Sequence, residues 1–357
     1  MADASPQKNE EKTDAKTSEK TAEQRARAHV DQLLARPAAR SPGVALVGGQ
    51  RQSYTAEVAF MPVRGEVIAE LAELADEPQA AVMTTAYCLD RAAPASRPVC
   101  FAFNGGPGSA SIWLHLGALG PKRIVVPDDG SLGVGPYAVQ DNPQSWFEHF
   151  DLVFIDPPHT GWSASASEKA CKKMLSLDGD VAALAEVVRV WLARHQRWGS
   201  QVYLAGESRA CGRRGFRGRR PCPCADGRRA ARGPRPNAHR APAGVSIDQR
   251  FEVLNRDVGR GWNWNRGDKQ GNDYTTTSVD LARALRRHSA LKVLAASGRH
   301  DLGTPYSASD WSLAQLDVPL SVRTRVTHRY YDAGHMMYTR RADLMQLKAD
   351  LAAWLQT

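Results

Sequence analysis

Apolar and polar residues alternate in the first third of the chain, as they do in a strand with one buried face. Residues 54–60 show this alternation, and residues 80–89 combine β-branched and aromatic side chains. A period of two residues places one set of side chains on the core face of a sheet and the other set on the opposite face. The two segments predict antiparallel strands at one edge of a sheet.

Further along, the apolar runs become nearly continuous and alternate with segments of helical periodicity. The runs lie at residues 98–103, 152–155, 202–205 and 291–296, and the helical segments lie at 178–195, 278–287 and 341–355. Continuous apolar runs are typical of parallel strands that are covered on both faces. The alternation predicts an α/β fold with a doubly wound, mostly parallel sheet, helices on both faces and antiparallel N-terminal strands.

A serine stands at the end of one of these predicted strands. Ser208 follows the run 201–205 through Gly206 and Glu207, and Ala210 lies two residues beyond it. Small residues on either side of a serine permit the sharp strand-to-helix turn of a nucleophile elbow, which exposes the hydroxyl group at the tip of the sheet. Ser208 is therefore a candidate nucleophile.

A glycine-rich turn follows the predicted strand at 98–103. It begins at Asn104 and continues as Gly105-Gly106-Pro107-Gly108. Glycines in this position allow a backbone N–H group to point towards a developing oxyanion. The alternative interpretation is a plain tight turn.

Two further candidates follow predicted strands in the C-terminal third. Asp301 comes after the run 291–296, and His335 comes after the extended segment 329–331. Serine, aspartate and histidine in this chain order match the α/β-hydrolase triad, in which histidine takes the serine proton and aspartate orients the histidine. Two alternatives stay open, because Asp301 can cap the next helix and His300 is a rival base.

Taken together, these motifs resemble the serine carboxypeptidase family in its bacterial branch. The resemblance rests on residues 104–110, 151–165, 206–208, 293–305 and 334–336, and it extends over roughly 43–208 and 245–357. It implies an α/β-hydrolase that releases C-terminal residues from peptides through an acyl-enzyme, with a peptide as its partner and with neither a metal ion nor another cofactor.

The resemblance also implies a role for each residue of the site. Ser208, Asp301 and His335 would form the catalytic triad, and the N–H groups of Gly106 and Arg209 would form the oxyanion hole. Asn104, Gly105 and Glu207 would bind the substrate, with Asn104 and Glu207 on its C-terminal carboxylate and with Glu207 protonated where it donates a hydrogen bond.

The chain departs from the family pattern immediately after the serine. The family usually has a tyrosine where Arg209 stands, and many members have a glutamate where Ala118 stands. Residues 209–240 contain 11 Arg, 5 Gly and 4 Pro and no Leu, Ile, Val or Met, so they offer no apolar stripe for a helix to bury against the sheet. Such a composition is typical of a shifted reading frame in GC-rich coding sequence. Ser208 and Asp301 are only 93 residues apart, closer than in the family, so the resemblance implies that most of the cap over the site is missing.

The net charge of +9 arises from this same segment. Residues 209–240 contribute +10, so the remainder of the chain carries −1. The sequence therefore supports three functional classes: an active peptidase or esterase, a non-catalytic remnant of the family and, as the least favoured, a basic-arm nucleic-acid binder. We expect no specific nucleic-acid partner. The spacing of Cys222 and Cys224 is too tight for the usual zinc knuckle, so no metal site is expected.

These patterns predict four segments along the chain. Residues 1–24 form a disordered charged tail, 25–208 the N-terminal part of the hydrolase domain, 209–243 an aberrant and disordered segment, and 244–357 the C-terminal part of the domain. Because the tail lacks the apolar run of a signal peptide, the sequence as written predicts a cytoplasmic protein without membrane contact; a misassigned start would make it secreted or periplasmic. The oligomeric state is not predicted.

Overall fold

The computed structural model of the chain describes residues 7–65, 73, 76–90, 96–128, 138–208, 247, 249–266 and 276–357. Eleven strands are found within these residues. They are β1 (Ala39–Val47), β2 (Gln50–Arg64), β3 (Pro78–Leu89), β4 (Val99–Asn104), β5 (Lys122–Ile124), β6 (Val139–Asp141), β7 (Asp151–Ile155), β8 (Ala164–Ser165), β9 (Val202–Glu207), β10 (Val293–Gly298) and β11 (Val326–Tyr331).

Nine α-helices lie between and around the strands in the described part of the chain. They are α1 (Gln7–Ala35), α2 (Ile112–Leu114), α3 (Glu168–Met174), α4 (Leu177–Arg194), α5 (Arg256–Gly261), α6 (Ser278–Arg287), α7 (Tyr306–Ala314), α8 (Leu320–Arg323) and α9 (Arg341–Gln356). A π-turn, His115–Leu119, extends α2. Side-chain caps begin three of the helices, because Ser167, Ser176 and Asn255 each accept a hydrogen bond from a first-turn amide.

The N-terminal strands form the antiparallel side of the main sheet. β1 pairs with β2, β2 with β3, and β3 with β7, all antiparallel. The antiparallel strands predicted at residues 54–60 and 80–89 are therefore confirmed. The sequence pattern missed β1, since Pro42 and Gly43 lower its strand propensity.

The centre of the sheet is parallel and is covered on both faces. β4 lies between β7 and β9 and pairs with each of them in parallel. Phe101 and Val153 pack under α4 on one face, while Cys100 and Leu152 on the opposite face lie in the cluster that contains α9 residues. This mixed sheet, with helices on both faces and the candidate loops at the carboxyl ends of its parallel strands, has the α/β-hydrolase fold.

β9 departs from the prediction of a strand buried on both faces. It is the last strand in the order β1-β2-β3-β7-β4-β9, whereas β10 and β11 form a separate parallel pair. Leu204 is 66% exposed and Val202 is 42% exposed, although both lie on the face that α4 covers further along the sheet. A run of apolar residues shows that a strand can be buried, but burial also needs a neighbouring element. Within the described residues, β9 has none on this side.

The β10–β11 pair is attached to the main sheet through the C-terminal helix. Leu344 and Leu351 of α9 are buried in the same cluster as Cys100 and Phe150. The ring of Trp354, also in α9, lies edge-on to Tyr203 of β9 with 6.2 Å between centroids. Helix α9 therefore places the loops after β10 and β11 at the same end of the fold as the end of β9.

The structure corrects the prediction for the N-terminal tail. Helix α1 begins at Gln7, within the tail of residues 1–24 that was predicted to be disordered, and contains no glycine or proline. Its C-terminal part is held by Val30 and Leu33, which are buried against Val58 and Phe60 of β2. The segment 209–243 lies outside the described residues, as does most of the region where a cap would lie. No helix within the described residues is long and apolar enough to cross a membrane.

Candidate active site

Ser208 lies at the carboxyl end of β9 in a left-handed backbone conformation. Its φ is +51°, which is uncommon for a residue other than glycine and is typical of strained positions at functional sites. A Cβ atom at Gly206 would lie 3.4 Å from the Phe103 ring, which is an ordinary van der Waals contact. The strand end predicted before the nucleophile elbow is present; Arg209 and Ala210, which would complete the predicted turn, lie outside the described residues.

The glycine-rich turn packs directly against the backbone of Ser208. Gly105 N donates to Glu207 O at 2.7 Å, and Gly106 N donates to Ser208 O at 3.3 Å. A Cβ atom at Gly105 would lie 1.5 Å from Ser208 O, and Gly106 has a φ of +124°. Both positions therefore need glycine, the first for space and the second for its backbone conformation. The structure brings together the two segments that the sequence analysis assigned to one site.

Residues 251–255 hold the outer side of the glycine turn. Asn255 N donates to Gly108 O at 2.7 Å, and Ala110 N donates to Val253 O at 3.0 Å. The side chain of Asn255 reaches the next loop, where its Nδ2 donates to His159 O at 2.9 Å. This segment connects the glycine turn to the loop after β7.

Asp301 and His335 form a hydrogen-bonded pair at the ends of β10 and β11. Nδ1 of His335 lies 2.7 Å from Oδ2 of Asp301, and Asp301 is buried. Gly303 N and Thr304 N donate to the other carboxylate oxygen at 2.7 and 2.9 Å, and Thr304 Oγ1 donates to Oδ2 at 2.5 Å. Burial alone would raise the pKa of Asp301, but the hydrogen bonds from Thr304, His335 and Gly303 outweigh it and lower the pKa. Asp301 is thus an ionised partner that can orient His335.

The rival base, His300, points to a different acid. Its Nε2 lies 2.9 Å from Oδ1 of Asp332, and both side chains are largely exposed. His335, by contrast, is hydrogen-bonded to Asp301. Asp301 also accepts bonds from the backbone of its own turn, but it does not cap the next helix, because α7 begins after Pro305 without a side-chain cap.

No hydrogen bond joins the side chains of Ser208 and His335, both of which the structure describes. Nδ1 of His335 is bonded to Asp301, and neither its Nε2 nor the Ser208 hydroxyl bonds to another described residue. The loop that carries His335 does reach the end of β9, because the Tyr338 hydroxyl donates to Oε1 of Glu207 at 2.8 Å. Glu207 is the residue immediately before Ser208. All three predicted triad residues therefore lie at one end of the fold.

Asn104 and Glu207, predicted to bind substrate together, contact each other. Nδ2 of Asn104 donates to Oε2 of Glu207, and Oδ1 of Asn104 accepts from Leu114 N at 3.2 Å. Burial raises the pKa of Glu207, while the hydrogen bonds from Tyr338 and Asn104 and the charge of His335 partly oppose the shift. Glu207 is therefore easier to protonate than an exposed glutamate.

A second buried carboxyl group lies behind the glycine turn. Asp156 follows β7 and accepts hydrogen bonds from Ser111 N at 2.8 Å and Ser111 Oγ at 2.7 Å. Burial raises the pKa of Asp156 to about 6, because these bonds only partly offset the loss of solvation. This contact joins the start of α2 to the loop after β7.

Sequence reasoning missed two residues of the site. Thr304 lies three positions after Asp301, a spacing typical of a turn closed by an aspartate side chain. Tyr338 lies three positions after His335, and its only sequence signal is this proximity to the candidate base. Within the described residues, no group of three or more His, Cys, Asp or Glu side chains is placed to hold a metal ion.

Comparison with known families covers part of the candidate site. Residues 86–212 match the family model described as serine carboxypeptidase. The matched segment includes the glycine turn, Glu207 and Ser208. Asp301 and His335 lie outside it.

Individual relatives named as carboxypeptidases match the chain over part of their length. The chain is 28% identical over 120 residues to serine carboxypeptidase-like 7 of Arabidopsis thaliana, which covers 33% of this chain and 26% of that protein. It is 32% identical over 110 residues to pheromone-processing carboxypeptidase KEX1 of Yarrowia lipolytica, covering 30% of this chain and 16% of that protein. The matched segments thus span about a quarter or less of these relatives.

Among solved structures, the chain is similar to an S-formylglutathione hydrolase from Agrobacterium tumefaciens. The identity is 10%, the TM-score is 0.39, and the alignment covers 88% of this chain and 96% of that one. Over residues 86–212 the chain is therefore similar to the serine carboxypeptidase family.

Proposed function

We propose that the chain hydrolyses peptides at their C-termini through an acyl-enzyme formed on Ser208. The observation that carries the proposal is the 2.7 Å hydrogen bond between Asp301 and His335, at the same end of the fold as the left-handed Ser208. An ionised aspartate on Nδ1 leaves Nε2 of His335 as the base, which is the arrangement that serine hydrolysis requires.

In the proposed reaction, Nε2 of His335 takes the proton of the Ser208 hydroxyl as Oγ bonds to the scissile carbonyl carbon. The carbonyl oxygen becomes an oxyanion, which the N–H groups of Gly106 and Arg209 stabilise. The C–N bond then breaks, and the leaving amine takes the proton from His335. Water, deprotonated by His335, hydrolyses the acyl-enzyme and restores Ser208.

Two contacts must change when substrate binds. The Gly106 amide donates to Ser208 O in this structure, so it has to turn from that oxygen towards the oxyanion. His335 must also approach Ser208, since its Nε2 bonds to no described residue. Asn104, Gly105 and Glu207 form the proposed subsite for the C-terminal residue of the peptide.

The second candidate is a non-catalytic member of the family. It is favoured by the missing hydrogen bond between Ser208 and His335 and by the exposure of Leu204, four residues before the nucleophile. In this case the fold retains the site residues but does not bring Ser208 and His335 into the arrangement that turnover requires.

A fluorophosphonate probe together with a blocked dipeptide distinguishes the two candidates. We expect the probe to label Ser208 and the dipeptide to be hydrolysed. Ser208→Ala and His335→Gln should abolish both signals, whereas His300→Gln should retain them because His300 is paired with Asp332. A folded wild-type protein that neither takes the label nor hydrolyses the dipeptide supports the non-catalytic candidate. Labelling that survives Ser208→Ala contradicts the assigned nucleophile.

A further inference from the structure

Tyr338 is fixed in place between the His335 loop and the end of β9. It is 2% exposed, and its hydroxyl donates to Oε1 of Glu207 at 2.8 Å. Its ring lies over Gly117 in the π-turn, where a Cβ atom would approach Cε2 of Tyr338 to 3.1 Å. The position of the ring therefore depends on a glycine, and the hydroxyl group has little freedom to turn away from Glu207.

Glu207 is held as a hydrogen-bond acceptor on both of its oxygens. Tyr338 donates to one oxygen and Asn104 to the other. Among the described residues, the titratable groups that act on Glu207 are Tyr338 and His335, both from the segment after β11, while β4 contributes the uncharged amide of Asn104. Burial raises the pKa of Tyr338, so its hydroxyl remains a proton donor over the working pH range.

Two donors stabilise the charged form of Glu207, and burial favours the neutral form. The charged form repels a second carboxylate but accepts a hydrogen bond from an N–H group. The neutral form can donate its proton to a carboxylate. The protonation state of Glu207 therefore determines whether this site favours a ligand with a carboxylate or a ligand with an N–H group.

We propose that Tyr338 is a positioning residue that holds Glu207 as an acceptor and so sets the pH at which the site changes from binding a free C-terminal carboxylate to favouring a neutral C-terminal amide. The proposal rests on the function proposed above, because it takes Asn104 and Glu207 as the subsite for the peptide C-terminus. It assigns to Tyr338 a role in choosing between two classes of peptide end.

The first test follows the Glu207 carboxyl group by ¹³C NMR in the ligand-free protein. In Tyr338→Phe, Glu207 loses one donor to its charged form, so its titration midpoint should move upward by about one pH unit. An unchanged or lower midpoint overturns the proposal, and this result does not depend on any activity of the protein. Glu207→Gln identifies the resonance and keeps the shape of the side chain.

The second test measures binding by calorimetry on the Ser208→Ala background, with a blocked dipeptide as its free acid and as its amide, between pH 4 and 8. The free acid should bind more weakly as the pH rises through the Glu207 midpoint, and the amide should not. Adding Tyr338→Phe should move the loss of free-acid binding upward by about one pH unit, and adding Glu207→Gln should remove the pH dependence.

The outcomes separate the two proposals. The same pH dependence for both peptides, or a curve that Tyr338→Phe leaves in place, overturns the role of Tyr338. Failure of both peptides to bind at every pH contradicts the proposed function, and the carboxyl titration then still decides whether Tyr338 controls Glu207.

Discussion

Gly105 packs so closely against the backbone of Ser208 that there is no space for a side chain at position 105. The Cβ atom of any other residue at position 105 would lie 1.5 Å from the carbonyl oxygen of Ser208 and 2.7 Å from its carbonyl carbon. The neighbouring Gly106 amide bonds to the same oxygen. The turn after β4 therefore positions the backbone of the candidate nucleophile as well as supplying a candidate oxyanion donor.

We expect Gly105→Ala to displace Ser208 and to abolish its labelling by a fluorophosphonate. Backbone atoms cannot move aside as a flexible side chain can, so the variant should also lose about 1–3 kcal/mol or more of unfolding free energy. Gly199→Ala is the matched control, because a Cβ atom there would have nothing within 4 Å. Unchanged labelling kinetics in Gly105→Ala would show that the contact does not position the nucleophile.

Asp156 is expected to make the protein less stable as the pH rises. Its pKa is about 6 in the folded state against an ordinary value of 3.8, so the unfolded chain releases the proton first. The free energy of unfolding should therefore fall between about pH 3.8 and pH 6 and stay lower above that range. Relative to Asp156→Asn, which is neutral throughout, the wild type should lose about 3 kcal/mol.

Urea denaturation at a series of pH values checks this prediction. Asp76→Asn is the matched control, because it removes one exposed carboxylate. A constant difference in stability between wild type and Asp156→Asn from pH 4 to pH 7 would contradict the buried, protonated state of Asp156.

Because one face of β9 is exposed, we expect that shortening an apolar side chain on this face changes the free energy of unfolding little. Leu204→Ala should change the urea midpoint little, corresponding to within about 0.5 kcal/mol, because Leu204 is 66% exposed. Leu152→Ala is the matched comparison in β7, where the side chain is 0% exposed, and it should cost about 2–5 kcal/mol. A comparable loss at both positions would show that another element covers Leu204 in solution.

The same uncovered face leads us to expect a low midpoint temperature of thermal unfolding. An aliphatic side chain that becomes fully buried contributes about 1.5–3 kcal/mol, while the net stability of a whole domain is about 5–15 kcal/mol. Leaving Val202 and Leu204 exposed, with β10 and β11 outside the main sheet, therefore removes a large part of the usual margin. Differential scanning calorimetry is the measurement, and a midpoint above about 65 °C would refute the expectation.

Local pattern was enough to predict most of the elements that carry the site. Apolar runs indicated β4, β7, β9 and β10, and helical spacing indicated α4 and α9, because burial imposes a period on the sequence that does not depend on the rest of the chain. The position of Ser208, Asp301 and His335 just after predicted strands followed from the same patterns. Helix α1 was underestimated at its start, since a charged segment of good helix formers has no apolar period to reveal it.

Contacts between distant segments could be read only from the tertiary structure. The sequence alone determined which residues are available for serine hydrolysis and in what chain order they occur. Only the folded structure shows that Asp301 is hydrogen-bonded to His335, whereas His300 is hydrogen-bonded to Asp332. It also shows that Thr304 donates a hydrogen bond to Asp301 and that Tyr338 donates one to Glu207. Finally, it places β9 at the edge of the main sheet. The physical reason is that hydrogen bonds and burial depend on distances in space, and residues far apart in sequence acquire those distances only when the sheets and α9 pack together.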